Sequence, residues 1–306
     1  ILLARREQHS PFFLLLFLIA SQLNYVIMEK RTIEDFEVLD FIGQGSYGAV
    51  RKAREIENSK IFAIKQLRKT SVVKYKQVEN TRREKENLFL LRGSEFIIEL
   101  FYTFQDVSFL YFVLEYVPGG DLLQLLQRTG ALDEEIVRDY AVELVIAIET
   151  MQKHNIVHRD IKPENILLTE QNHLRLIDFG CSRKLNSEDE CVREFVGTAN
   201  YLPPEAFDKG TGLPGDLWGL GCTLFQLLVG AKPFDGDSEY LVFQAIKKTI
   251  QHPLEIPEGL SDAAKELLRG LLNPDPQQRM TISEIQQLDF FAGVEWEARK
   301  SDGKNE

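Results

Sequence analysis

His158–Asn165 reads HRDIKPEN, Ile177–Gly180 reads IDFG and Phe195–Glu205 reads FVGTANYLPPE. Each of these motifs has a separate task in moving a phosphoryl group. The first brings Asp160, Lys162 and Asn165 together: a carboxylate to meet an incoming hydroxyl, a cation, and an amide oxygen. The second brings Asp178, a carboxylate suited to a hard metal ion. The third closes a segment able to hold a peptide. Chance can produce DFG alone, but not all three at these spacings behind a glycine-rich turn and an apolar AIK strand.

Upstream, Gly43, Gly45 and Gly48 form GQGSYG, followed by Ala49 and Val50. Glycines tolerate unusual dihedrals and let a backbone approach phosphates. Taken alone, GxGxxG also fits a dinucleotide site, but that fold needs a helix after the glycines. Here AVRKARE leads into another strand, so a hairpin covering a nucleotide is expected. Lys65 lies on the next strand, with Ala63 on the same side at period two, and is placed to pair with phosphate oxygens. It needs a carboxylate partner. Glu84 and Glu86 both lie on a helix expected over 76–91. Leu88 and Leu91, four and seven positions after Glu84, favour Glu84, but the following loop blurs the register and leaves Glu86 open. Asp160 is expected to orient a substrate hydroxyl and accept its proton, and Lys162 to steady the transferring charge. Asn165 and Asp178 are expected to hold Mg²⁺ against the phosphates of ATP. His158 follows the apolar pair Ile156–Val157 and reads as a satisfied core histidine.

Residues 36–68 and the runs FIIELFYTFQD and FLYFVLEYV read as strands, and Pro118-Gly119-Gly120 ends them. Helical patterns follow: LLQLLQRTG, a long amphipathic helix after an N-cap at Asp133, and then 216–230, 238–249, 261–272 and 281–288. Strands first and helices afterwards predict an α+β fold of two lobes around a cleft. The 306 residues suffice for one large domain of two lobes, and the net charge of −11 argues against non-specific nucleic-acid binding. Cys181, Cys191 and Cys222 fit neither a disulfide framework nor a zinc pattern, which points to a reducing, cytoplasmic setting. Cys181, directly after DFG, reads as a buried inert thiol, with a reactive one as the alternative. The run PFFLLLFLIA over 11–20 is about half the length of a bilayer span. Three readings of residues 1–27 stand open: an upstream extension or gene-boundary error that is not native, a buried or membrane-touching segment, or a targeting signal.

Across residues 36–291 the chain resembles the eukaryotic protein kinases. The resemblance implies an N-terminal extension over 1–35 and a small lobe over 36–114 with a regulatory helix. It further implies a hinge over 115–120, a mainly helical large lobe over 121–291 and a tail over 292–306. It implies that Leu114 guards the back of the nucleotide pocket, that Glu115 and Val117 offer backbone groups to adenine, and that Asp121 approaches the ribose. Ile42, Val50, Ala63, Leu167 and Ile177 would sandwich the base. Thr198 would contact Asp160 and Lys162, Glu205 would pair with Arg279, and Asp216 would brace the catalytic loop. Lys162 and GTANYLPPE resemble serine/threonine rather than tyrosine kinases. ELFYTFQD, HNIVHRDIKPENILL, FVGTANYLPPE and GCTLFQLLVGAKPF are similar to the AGC-type group of 3-phosphoinositide-dependent protein kinases. That resemblance implies protein substrates, namely activation loops of other AGC kinases. These dock a Phe-containing C-terminal motif in a small-lobe pocket involving Val73, Gln105 and Leu110, with Lys69 nearby.

Two departures from the group's pattern stand out. No pleckstrin-homology domain follows in the sequence, so phosphoinositide recruitment is not expected. The residue before FVGT, a phosphorylated serine in the group, is Glu194, with Arg83 and Arg159 implied as its partners. A fixed carboxylate would then replace part of a phosphoserine, which carries more charge and one more strong acceptor oxygen. Asp121 and Glu164 near the cleft are candidates for meeting a basic substrate residue; Glu164 is also grouped with the nucleotide-site residues. Another AGC-related kinase with different substrates is the alternative. A pseudokinase scaffold is weaker, because Lys65, Asp160, Asn165 and Asp178 are all present.

Overall fold

Strands β1 (Phe36–Gly45), β2 (Gly48–Glu55), β3 (Ile61–Arg68), β4 (Leu100–Gln105) and β5 (Phe109–Glu115) form one antiparallel sheet in the order β1-β2-β3-β5-β4. The computed structural model describes residues 31–45 and 48–299. The apolar run at 11–20, and with it the three readings of residues 1–27, lies outside the described residues. Among the described residues no helix is long and apolar enough to cross a membrane.

The pleat of β3 sorts its side chains by period two. Phe62 and Ile64 join Phe36, Ala53, Tyr111 and Val113 in a small core on one face. Phe36 stacks on Phe104 there with ring centroids 5.9 Å apart, and meets Phe62 edge-on at 6.0 Å. Ala63, Lys65 and Leu67 point the other way. On that side helix α2 (Val78–Leu90) covers the sheet through buried Leu88, with Leu91 just past its end. The helix begins at 78 rather than 76 because Lys76 takes a left-handed backbone, φ 55°. The same kink ends a short helix α1 (Lys69–Lys74), in the stretch between the strands expected over 36–68 and the helix expected over 76–91.

Beyond the sheet come α3 (Leu122–Thr129) and α4 (Glu134–Lys153), then the short strands β6 (Ile156–Val157), β7 (Ile166–Leu168), β8 (Leu174–Leu176) and β9 (Arg183–Lys184). Helices α5 (Pro214–Val229), α6 (Glu239–Lys248), α7 (Asp262–Leu271), α8 (Ile282–Ile285) and α9 (Trp296–Arg299) complete the larger half. Asp133 occupies the N-cap position of α4, but its side chain makes no capping hydrogen bond. The Glu134 carboxylate instead accepts from Ser261 N at 2.7 Å and Ser261 Oγ at 2.6 Å, joining the start of α4 to the cap of α7. Helix α5 is buried along nearly its whole length, with Trp218 fully enclosed and stacked on Phe234. A helix apolar all round belongs in the centre of a large lobe, and α5 is the post against which the loop after β6 is braced. The two halves are joined by backbone bonds: Ile98 N donates to Leu176 O at 3.0 Å, and Leu176 N to Phe96 O at 2.8 Å.

Candidate active site

The first half of the site hangs from β3. Lys65 Nζ lies 2.5 Å from Glu84 Oε1 and 3.3 Å from Asp178 Oδ1. Glu86 points elsewhere and pairs with Arg82 at 2.8 Å. Two residues of helix rotation decide this: Glu84 lies four positions before buried Leu88, on the face turned to the sheet. Burial alone would lower the Lys65 pKa, but the flanking Glu84 and Asp178 carboxylates more than offset it and hold the ammonium above its usual range. Asp178 in turn sits below the usual carboxylate range because Lys65 faces it.

The second half is built on the loop after β6. Asp216, at the start of α5, accepts from His158 N at 2.7 Å and from Arg159 N at 2.8 Å. His158 is fully buried. Its Nδ1 faces Asp160 N at 3.3 Å and its Nε2 faces Ile177 O at 3.0 Å, a pattern met by the neutral tautomer protonated on Nε2. Its ring also meets Phe179 edge-on at 4.7 Å. The histidine therefore ties the loop carrying Asp160 to the strand end carrying Asp178.

Asp160 is the hub. Its Oδ1 accepts from Thr198 N at 2.9 Å and Thr198 Oγ1 at 2.8 Å. Its Oδ2 accepts from Lys162 Nζ and Asn165 Nδ2, both at 2.9 Å. Lys162 Nζ also donates to Thr198 Oγ1 at 2.5 Å, and Asn165 Nδ2 to Asp160 O at 2.8 Å. With both amide protons engaged on Asp160, Asn165 keeps its oxygen as a donor atom for a cation. Gly197 lets the segment approach this loop: φ is 106°, and a Cβ there would lie 2.4 Å from Arg159 O.

Of the residues that the resemblance assigns to a nucleotide, Ala63 and Val117 are buried, while Leu114, Leu167 and Ile177 are half-buried against the main core. Val50 is half-buried opposite Lys65 in the strand register, and Ile42 on β1 is exposed. Glu115 N donates to Glu99 O at 3.0 Å, so what its backbone can offer a nucleotide is a carbonyl. Its carboxylate grips Arg175 Nε at 2.9 and 3.0 Å, behind the hinge. Asp121 caps α3, accepting from Gln124 N at 2.8 Å. Glu164 is half-buried, with Oε2 enclosed. Gly48 has a packing role beyond any approach to phosphates: a Cβ there would lie 1.9 Å from Gln66 O on β3. Cys181 is half-buried rather than fully buried; burial, and then Asp160 and Asp178, push its thiol up to about 11.

Two peripheral features complete the picture. Arg159 Nη2 lies 3.0 Å from Glu194 Oε2, and Arg83 Nη1 lies 3.3 Å from Oε1. Arg183 Nη1 also lies 3.3 Å from Oε1. Arg183 was not anticipated; β9 pairs with β6 and so brings it beside the catalytic loop. On the far side of α2, Gln105 and Leu110 line a cavity of about 140 Å³ with Thr81, Lys85 and Phe112. Val73 and Lys69 are not in its wall. Lys69 is buried and donates to Asp106 O at 2.5 Å.

This bilobed arrangement, with a lysine–glutamate pair facing a braced catalytic loop, defines the protein kinase class. The protein kinase domain family matches residues 36–291, and the chain belongs to it. The chain is similar to 3-phosphoinositide-dependent protein kinase B of Dictyostelium discoideum, 41% identical over 279 residues, which cover 90% of this chain and 30% of that protein. Serine/threonine-protein kinase ksg1 of Schizosaccharomyces pombe is 39% identical over 282 residues, 87% of this chain and 47% of that protein. 3-phosphoinositide-dependent protein kinase 1 of Homo sapiens is 38% identical over 277 residues, 88% of this chain and 49% of that protein. The chain thus spans less than half the length of these relatives.

Proposed function

We propose that this chain transfers the γ-phosphoryl group of ATP to serine or threonine hydroxyls of protein substrates, among them activation loops of other AGC kinases. The observation carrying this reading is the shared network of Asp160, Lys162, Asn165 and Thr198 facing the Lys65–Glu84–Asp178 cluster. Asp160 takes the hydroxyl proton and aims the oxygen. Lys162 offsets the charge that develops as the phosphoryl group leaves. Lys65, held by Glu84, grips the nucleotide phosphates.

The donor set suits magnesium. Mg²⁺ binds through one or two carboxylates plus phosphate oxygens rather than in an all-protein cage. The Asp178 carboxylate and the Asn165 amide oxygen supply that pattern, and among the described residues no larger His/Cys/Asp/Glu cluster competes with it. Asp178 and Asn165 would hold the ion, which would supply positive charge to offset the charge of the nucleotide phosphates.

The test is phosphate transfer by the full chain, with ATP and Mg²⁺, to inactive AGC kinases carrying or lacking a C-terminal Phe motif. Transfer to an activation-loop threonine that depends on the motif supports both the activity and docking at the cavity walled by Gln105 and Leu110. Preference for unrelated peptides removes the narrower substrate assignment. Asp160→Asn should lower transfer at least a hundredfold, the usual scale of a general base; full activity in that variant overturns the mechanism.

A further inference from the structure

The hinge between the two halves has a short free span. At one end Glu115 N donates to Glu99 O at 3.0 Å; at the other Gly119 N donates to Leu168 O at 2.8 Å, and Leu168 N to Gly120 O at 2.9 Å. Between these ties stand Tyr116, Val117 and Pro118. Among the described residues no backbone hydrogen bond holds the amides of Tyr116 and Val117, and Pro118 has no N–H to give. Rotation of one half against the other therefore concentrates in three residues of backbone.

Two side chains restrain this span, each gripped by a different half. Glu115 reaches β8, where Arg175 Nε donates to both carboxylate oxygens, at 2.9 and 3.0 Å. Arg175 is itself fixed to the larger half. Its Nη1 donates to Leu174 O at 2.9 Å, and Leu174 N donates to the Glu143 carboxylate on α4 at 2.7 Å. Tyr116 is met from the sheet: Lys52 Nζ stands 4.6 Å from the centre of its ring. Lys52 pairs with Ala63 in the strand register, so it lies on the face of the sheet that carries Lys65.

We infer that these contacts form a clasp on the hinge, Arg175–Glu115 from the larger half and Lys52–Tyr116 from the sheet, which holds the cleft closed and sets how fast a nucleotide leaves it. The four side chains act as positioning residues, through the lobe angle. The inference rests on the reading that a nucleotide occupies the cleft, and adds what governs its exchange. Arg175 and Glu115 keep 18% and 24% of their side chains exposed, so water and salt weaken their pair. Such a clasp tunes a rate rather than locking the halves together.

The test uses the full chain and the variants Glu115→Gln, Arg175→Gln, both together, and Lys52→Met. Release of a fluorescent ADP analogue in the presence of Mg²⁺ is followed by stopped flow. Amide hydrogen exchange is followed without nucleotide. Each single variant should release the analogue about two- to fivefold faster, the scale of a partly exposed ion pair or cation–π contact. Each should also speed exchange within residues 115–120. Glu115→Gln/Arg175→Gln should match its single variants, because all three lose one shared contact. Unchanged release and exchange in Arg175→Gln, or a double variant whose effect is the product of the singles, overturns the clasp. Faster exchange spread through the whole sheet does so too, by reducing the contacts to general stabilisation. If the unaltered chain binds no nucleotide, the nucleotide reading falls, while faster exchange confined to 115–120 in the variants still supports the clasp.

Discussion

Glu194 meets three arginines drawn from three elements: α2, the catalytic loop and β9. A permanent carboxylate at this place should order the segment that leads to Thr198 without phosphorylation. We therefore expect unphosphorylated protein made in bacteria to phosphorylate peptides, and Glu194→Ala to lose about three- to tenfold, the scale of a small, partly exposed charge network. Equal rates would remove the role. Burial alone would raise the pKa of Glu194, but Arg159, Arg83 and Arg183 overcome this and hold it below the ordinary glutamate value. A depressed folded pKa gives a contribution that is complete above the unfolded value of about 4.3 and is lost as pH falls through the folded one. The segment should stay anchored below pH 4.3, and limited proteolysis across pH 3 to 6 would reveal the midpoint. A midpoint at or above 4.3 contradicts this.

At the scale of elements, the β2–β3 hairpin depends on Gly48. Gly48→Ala would press a methyl group onto Gln66 O on the adjacent strand. Overpacking of this kind costs about 1–3 kcal/mol, and here the strain falls on the register that sets Val50 opposite Lys65. Weaker nucleotide affinity with a lowered Tm is expected; an unchanged pair of values would show that the hairpin yields freely. Elements also explain how far the chain could be read before its structure. Motif-borne residues were legible because their spacing reflects chemistry: Lys65, Asp160, Asn165 and Asp178 stand out from any background. Glu84 could be separated from Glu86 only by a helical face, and the structure resolves it through Leu88. Arg183 could not be reached, because a two-residue strand pairing with β6 leaves almost no periodic signal. Helix α1 was missed for a related reason: six residues give less than two turns. The capping bond expected of Asp133 failed because Glu134 and Ser261, far apart in sequence, supply a tertiary tie instead.

For the whole molecule, the bidentate pair of Arg279 with Glu205, at 2.7 and 2.9 Å, is enclosed and also reaches Pro214 O at 2.8 Å. It pins the end of the substrate-binding segment to the start of α5 and to the loop before α8. Arg279→Leu would strand a buried carboxylate, a loss of about 3–5 kcal/mol. Urea unfolding should register it as a lower midpoint; a loss below 1 kcal/mol would mean that the region relaxes and hydrates Glu205.

Arg159 and Asp178 both hold left-handed backbones, with φ of 69° and 61°, and neither is glycine. Such conformations cost of order 1–3 kcal/mol each and persist only where the surroundings enforce them. Arg159 also keeps Nη1 enclosed without a partner. The two residues next to the reacting groups are thus among the least comfortable in the fold. A laboratory selection for heat resistance alone would reward changes that relax the backbone at either position and would drift toward a sturdier chain with an impaired centre. A selection that screens for turnover at each round would have to place its stabilising changes elsewhere.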